Sequence, residues 1–282
     1  MNINNEIDVM DCTLQHKKMD EFWLRIISGV FAIPFVIAVT YLGFPYFDIL
    51  ALSILLGMLR EWSRLTTFSV FHPVCGVVFV QMLLLLYGKN LSLWVHAFLN
   101  TSAVLLVVRF VGKTLPIKRA LLFISGCFYV CAAVSTIIFL SHISAEHRMF
   151  ILWLFSIVWT GDIGAYFVGR LLKGPRLAPK ISPNKTWAGL IGGLVCAYVF
   201  GTLFNYYFDL TSLLSLSFSG VLLTLAVSAH IGDLLESAVK RHFGVKDAGN
   251  FIPGHGGLLD RLDSLLLAAL VCSFFLLMGW IQ

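Results

Sequence analysis

The sequence predicts an all-α, polytopic integral membrane protein with about nine transmembrane helices, and three observations predict it. Mean hydropathy is +0.88, and charged residues make up only 12% of the chain. A water-exposed surface needs about a quarter of its residues charged, so a soluble globule is excluded. The apolar residues fall in successive runs of about bilayer length. The basic residues crowd into alternate connections between those runs.

Taken in order, the spans fall at 24–43, 45–59, 70–87, 91–111, 120–141, 149–171, 187–207, 214–235 and 262–281. The second is the weakest, because Asp48 opens it and Arg60 and Glu61 close it. Residues 1–22 form a polar segment ahead of a single membrane domain at 23–282, and no cleavable leader is expected from so polar a start. With the N-terminus in the cytoplasm, 18 of the 20 Lys and Arg lie on or near the inner side, and only Lys89 and Arg148 fall outside. Dropping one internal span would put later basic loops on the wrong side. The long connections 172–186 and 236–261 are therefore expected to face the cytoplasm.

The six cysteines (Cys12, Cys75, Cys127, Cys131, Cys196 and Cys272) form no CxxC pair and suit small apolar residues of membrane helices. Gly112-Lys113-Thr114 resembles the end of a phosphate loop, but Val107 stands where that motif needs glycine. Arg60-Glu61-Trp62-Ser63-Arg64 reads as an interfacial anchor. Gly189 and Gly193 make a small-xxx-small pair that suits close helix packing, either within one chain or between two.

The chemistry concentrates in the stretch Ser237–Ser264, SAVKRHFGVKDAGNFIPGHGGLLDRLDS. Asp233, Ser237 and Lys240 share a helix face by their spacing, and Asp260, Asp263 and Ser264 repeat the pattern after a glycine-rich turn. Carboxylates at membrane depth are costly unless paired with cations or metals. An all-oxygen set suits Mg²⁺, which completes its shell with water and substrate phosphate. A salt-bridged loop that only terminates two helices would need fewer charges. His255, flanked by glycines, either touches a ligand or shapes the loop. Asp162 lies inside an apolar run, and an intramembrane carboxylate is a candidate site by default. Ser182 to Thr186 follow as a turn with hydroxyls and Lys185, suited to phosphate.

At SAVKR, Lys246-Asp247, PGHGG and DRLD the chain resembles the phosphatidate cytidylyltransferase (CDP-diacylglycerol synthase) family, with every fixed position of that family's C-terminal signature present. The likeness extends through GDIGAYFVGR and LAPKISPNKTWAG to the Arg60–Arg64 region. Ala188 and Lys173-Gly174-Pro175 depart from the usual pattern, which leaves the detail of the middle loop open.

The resemblance implies transfer of CMP from CTP to phosphatidic acid in a homodimeric enzyme of the bacterial inner membrane, with Mg²⁺ (Mn²⁺ can substitute), K⁺ as an accessory ion, and no nucleic acid as partner. It implies Asp233 and Asp260 as metal ligands. Lys240, Arg241, Arg261, Asp247 and Asp263 are expected in the chemical step, and Ser237, Lys246, His255, Asp162, Ser182 and Lys185 in substrate binding. A CTP-dependent lipid kinase is the nearest alternative, but it would need a base for an alcohol and lacks the full signature. A secondary transporter should show repeated halves, and none is apparent.

Overall fold

The computed structural model describes residues 29–66, 117–214, 217–249 and 256–281. The described elements are α1 (Gly29–Leu42), α2 (Tyr46–Leu65), α3 (Ile117–Ile143), α4 (Ala145–Leu172), the strands β1 (Arg176–Ala178) and β2 (Ser182–Thr186), α5 (Trp187–Phe208), a single 3-10 turn at Leu210–Leu213, α6 (Phe218–His242) and α7 (Leu259–Leu277). The expected spans at 70–87 and 91–111 lie outside the described residues.

Among the described residues, four helices are long and apolar enough to cross a membrane: α4, α5, α6 and the stretch Leu121–Ile143 of α3. The chain is thus a predominantly helical integral membrane protein. The expected second and ninth spans are both helical, but α2 carries Asp48, Arg60, Glu61 and Arg64, and α7 opens with Asp260, Arg261 and Asp263. The eighth run, expected to end at residue 235, continues as helix to His242 and carries its cationic face beyond the apolar stretch. The connection 172–186, read from sequence as a loop, contains an antiparallel hairpin pairing Arg176 with Thr186 and Ala178 with Ser182. Lys173 and Gly174, at φ 55° and 98°, turn the chain sharply out of α4 and into it.

α4 and α5 pack along a seam of glycines. A Cβ on Gly164 would lie 2.6 Å from the Cys196 side chain, one on Gly192 2.4 Å from Val168, and one on Gly193 2.7 Å from the Gly161 carbonyl. Gly189 meets the Ala165 carbonyl in the same seam, so the small-xxx-small pair packs helices within this chain. Such approach matters in a bilayer, where lipid tails are as apolar as leucine and association rests on close packing. Thr186 fixes the start of α5 by accepting from the Gly189 amide. Two tryptophans lock neighbouring helices through their indole N–H: Trp62 donates to the Phe123 carbonyl and Trp153 to the Gly201 carbonyl. The core holds Phe123, Phe150, Trp153 and Leu222, all fully buried. Ile191, Val195, Val199 and Phe200 stand exposed on α5, which suits hydrocarbon rather than water.

Candidate functional site

A cavity of about 730 Å³ opens at one end of the bundle. The C-terminal halves of α4 and α6, the N-terminal turns of α5 and α7, and the hairpin all face it, and Asp162, Ser182, Lys185, Asp233, Lys240, Asp247, Asp260, Arg261 and Asp263 line it. Residues from four stretches of sequence, read separately, therefore share one wall. Arg148, at the start of α4, and the Asp48–His142 hydrogen bond (2.8 Å) stand at the opposite end.

Lys240 is the hinge of the polar network. It is 9% exposed, on the buried side of α6, and its Nζ donates to Asp260 Oδ1 at 2.6 Å. The other oxygen of Asp260 accepts from the amides of Ala248 (2.8 Å) and Gly257 (2.9 Å), one on each side of the glycine-rich loop. Asp260 stands before the apolar run that begins at Leu262. Burial works against its charge, but the Lys240 ammonium and the two amides outweigh burial and hold the carboxyl below the usual carboxylate range. Glu236, one turn before Lys240, lies 3.3 Å from the same ammonium. Both Glu236 oxygens are buried.

The second centre is Lys185 with Asp233, paired at 2.5 Å between β2 and α6. Both side chains are about a quarter exposed toward the cavity. Ser237 donates to Asp233 at 3.5 Å, as their shared face predicts. Asp162 and Asp263 meet through Ser264, whose hydroxyl lies 3.4 Å from Asp162 and 3.5 Å from Asp263.

Arg241 does not line the cavity. Its Nε donates to the Ile181 carbonyl at 3.2 Å and its Nη1 to the Val245 carbonyl at 3.1 Å, so the guanidinium clasps the hairpin turn to the end of α6. The guanidinium thus meets backbone carbonyls, whereas the sequence places Arg241 among the residues expected in the chemical step. Lys246 is exposed and also outside the lining set. His255 lies outside the described residues.

Three participants escaped the sequence reading. His230 lines the cavity from within an apolar run, its Nε2 seated in the notch that Gly193 leaves. Arg170, held by the Tyr166 hydroxyl at 2.8 Å, adds a cation. Glu236 lies between the expected site residues Asp233 and Ser237, and only its i, i+4 spacing to Lys240 could have pointed to it.

Among the described residues, no group of three His, Cys, Asp or Glu side chains converges as a ready-made metal shell. Asp233 and Asp260, the expected ligands, each face a lysine instead. The donor chemistry nonetheless fits a hard divalent cation, since every carboxylate present offers oxygen only. The charge balance fits too. Counting Glu236, six carboxyl groups stand at the cavity against the four cations Arg170, Lys185, Lys240 and Arg261, which leaves oxygen donors over for a bound cation.

A model of the cytidylyltransferase family matches residues 23–278. The chain is 34% identical over 268 residues to a phosphatidate cytidylyltransferase of Rickettsia bellii, covering 92% of each protein. It is 35% identical to the Brucella suis enzyme of that name, covering 91% of this chain and 94% of the relative. It is 35% identical to the one from Haemophilus influenzae, covering 89% and 97%.

Proposed function

The chain belongs to the cytidylyltransferase family, and from that membership we infer that it transfers CMP from CTP to phosphatidic acid, forming CDP-diacylglycerol and pyrophosphate for phospholipid synthesis. The observation that carries the reading to particular residues is the meeting of Lys185, Asp233, Lys240 and Asp260 around one polar cavity at the end of an apolar bundle. Ile163 and Phe167, exposed beside the lining residue Tyr166, offer an apolar flank on which acyl chains can lie while the headgroup enters the cavity.

A phosphatidate oxygen attacks the α-phosphorus of CTP, a new P–O bond forms, and the bond to the β-phosphate oxygen breaks as pyrophosphate leaves with the electron pair. The nucleophile is already an anion near neutral pH, so no general base is needed. The obstacle is the approach of two polyanions, and Lys185, Lys240 and Arg261 offset that charge from three sides. Lys240, already anchored by Asp260, neutralises phosphate charge with little reorganisation. Lys185 can exchange Asp233 for a phosphate oxygen. Mg²⁺ held by Asp233 and Asp260, with Asp247 and Asp263 nearby, would supply further neutralisation of the phosphate oxygens.

The basic residues at the cavity end support a cytoplasmic orientation in a bacterial inner membrane, where CTP is available. A homodimer is part of the same proposal, with the exposed apolar face of α5 free to meet a second copy. The test is release of pyrophosphate by purified protein given CTP, phosphatidate and Mg²⁺. Release that requires phosphatidate is expected, and release independent of it would contradict the reading.

A further inference from the structure

Glu61 lies outside the cavity yet reaches its framework. It is 3% exposed, in the last turns of α2, and its two oxygens accept from consecutive amides: Leu258 at 2.9 Å and Leu259 at 2.8 Å. Those amides open α7, whose N-cap, Leu258, has no capping side chain of its own. The first amides of any helix lack intrahelical acceptors, and the positive end of the helix dipole favours a carboxylate there. Glu61 thus caps α7 from almost 200 residues away in sequence.

We propose that Glu61 is a positioning residue for cytidylyl transfer, holding the start of α7 so that Asp260 engages Lys240 and Arg261 and Asp263 face the cavity.

Two carboxylates divide four of the described amides between them. Glu61 takes Leu258 and Leu259, while Asp260 takes Ala248 and Gly257. The glycines leave room for this arrangement and no more. A Cβ on Gly249 would stand 2.7 Å from Glu61 Oε1, and one on Gly257 would stand 2.8 Å from both Glu61 Oε2 and Asp260 Oδ2. α2 is equally close, since a Cβ on Gly57 would meet the Leu258 side chain at 2.8 Å. With Glu61 seated on them, the Leu258 and Leu259 amides at the start of α7 are not open to phosphate. Anion binding then falls to the side-chain cations, which is where the chemistry needs charge.

The inference rests on the proposed function and takes Lys240 and Asp260 to serve the CTP phosphates, and its test separates the two. Glu61→Gln keeps the shape but removes the charge and one acceptor. It should raise the CTP KM and the directly measured CTP Kd about tenfold, leaving the phosphatidate KM within about twofold. Loss of folded protein alone would lower Vmax and leave both KM values unchanged. Hydrogen exchange, which needs no substrate, should quicken at Leu258 and Leu259 and also at Ala248 and Gly257, whose amides donate to Asp260 rather than to Glu61. Gly249→Ala, whose methyl would stand 2.7 Å from Glu61 Oε1, should reproduce both effects if Glu61→Gln does not fold. Faster exchange with unchanged CTP affinity would make Glu61 a cap and nothing more, and would overturn the proposal. So would weaker CTP binding with wild-type exchange at Ala248 and Gly257.

Discussion

Lys185 of the hairpin and Asp233 of α6 form an ion pair at 2.5 Å between the two sides of the cavity. Each is an expected site residue whose partner is the other, and on the proposed function substrate separates them. Asp233→Asn should therefore cost turnover about 100-fold or more while changing thermal stability little, because a pair about a quarter exposed contributes modestly to folding. Turnover measured beside a melting curve in detergent checks both halves, and near-normal turnover would remove Asp233 from the site.

Asp260→Asn should differ in kind. Asp260 accepts three hydrogen bonds, and an asparagine amide would turn a donor toward Lys240 or toward the loop amides. Both turnover and melting temperature should fall, the latter by several degrees. A variant that loses activity with an unchanged melting temperature would show that the loop does not depend on this carboxylate.

The two neighbours Lys240 and Arg241 should separate just as clearly. Side chains one residue apart on a helix diverge by about 100°. Lys240 is buried against Asp260, while Arg241 clasps the hairpin turn. Lys240→Ala should cost about 100-fold or more in turnover. Arg241→Lys keeps charge but loses the two-carbonyl grip, and should speed hydrogen exchange in residues 176–186 while changing turnover only a few-fold. A selective rise in phosphatidate KM for Arg241→Lys, with exchange unchanged, would return the guanidinium to the substrate.

These contrasts show what the sequence made legible. The periodic apolar runs and the signature spacing sufficed for α3 to α7 and for the face shared by Asp233, Ser237 and Lys240, because those relations are local to one helix. The hairpin was missed because its Pro-, Asn- and Lys-containing strands are short and carry no alternating pattern. Glu61 read as an anchor because its partners are backbone amides nearly 200 residues away, which no side-chain pattern records. The pairing of the expected metal aspartates with lysines was equally hidden. Composition shows charges of both signs, but only the fold decides which of them meet.

Chelation should abolish activity, with recovery on adding Mg²⁺ or Mn²⁺ and little with Zn²⁺, since the cavity offers carboxylate oxygens and a single histidine, His230, among the described lining residues. Assay of chelator-treated, desalted protein checks this. Full activity without added metal would place the whole burden of charge neutralisation on Lys185, Lys240 and Arg261.

Orientation can be read with single reporter cysteines. A cysteine at Lys246, beside the cavity end, should be labelled by an impermeant reagent only from the cytoplasmic side, and one at Glu146, at the opposite end of α4, only from outside. The reverse pattern would separate the cavity from cytoplasmic CTP.

The most direct measurement follows the fate of each CTP phosphorus. Purified protein in mixed micelles is given phosphatidate, Mg²⁺ and CTP labelled at either the α or the γ position. Cytidylyl transfer predicts that α label enters the lipid fraction while γ label stays in water as pyrophosphate, and that Asp233→Asn prevents both changes. Entry of γ label into lipid, with α label left behind in CDP, would mean phosphoryl transfer and would contradict the account.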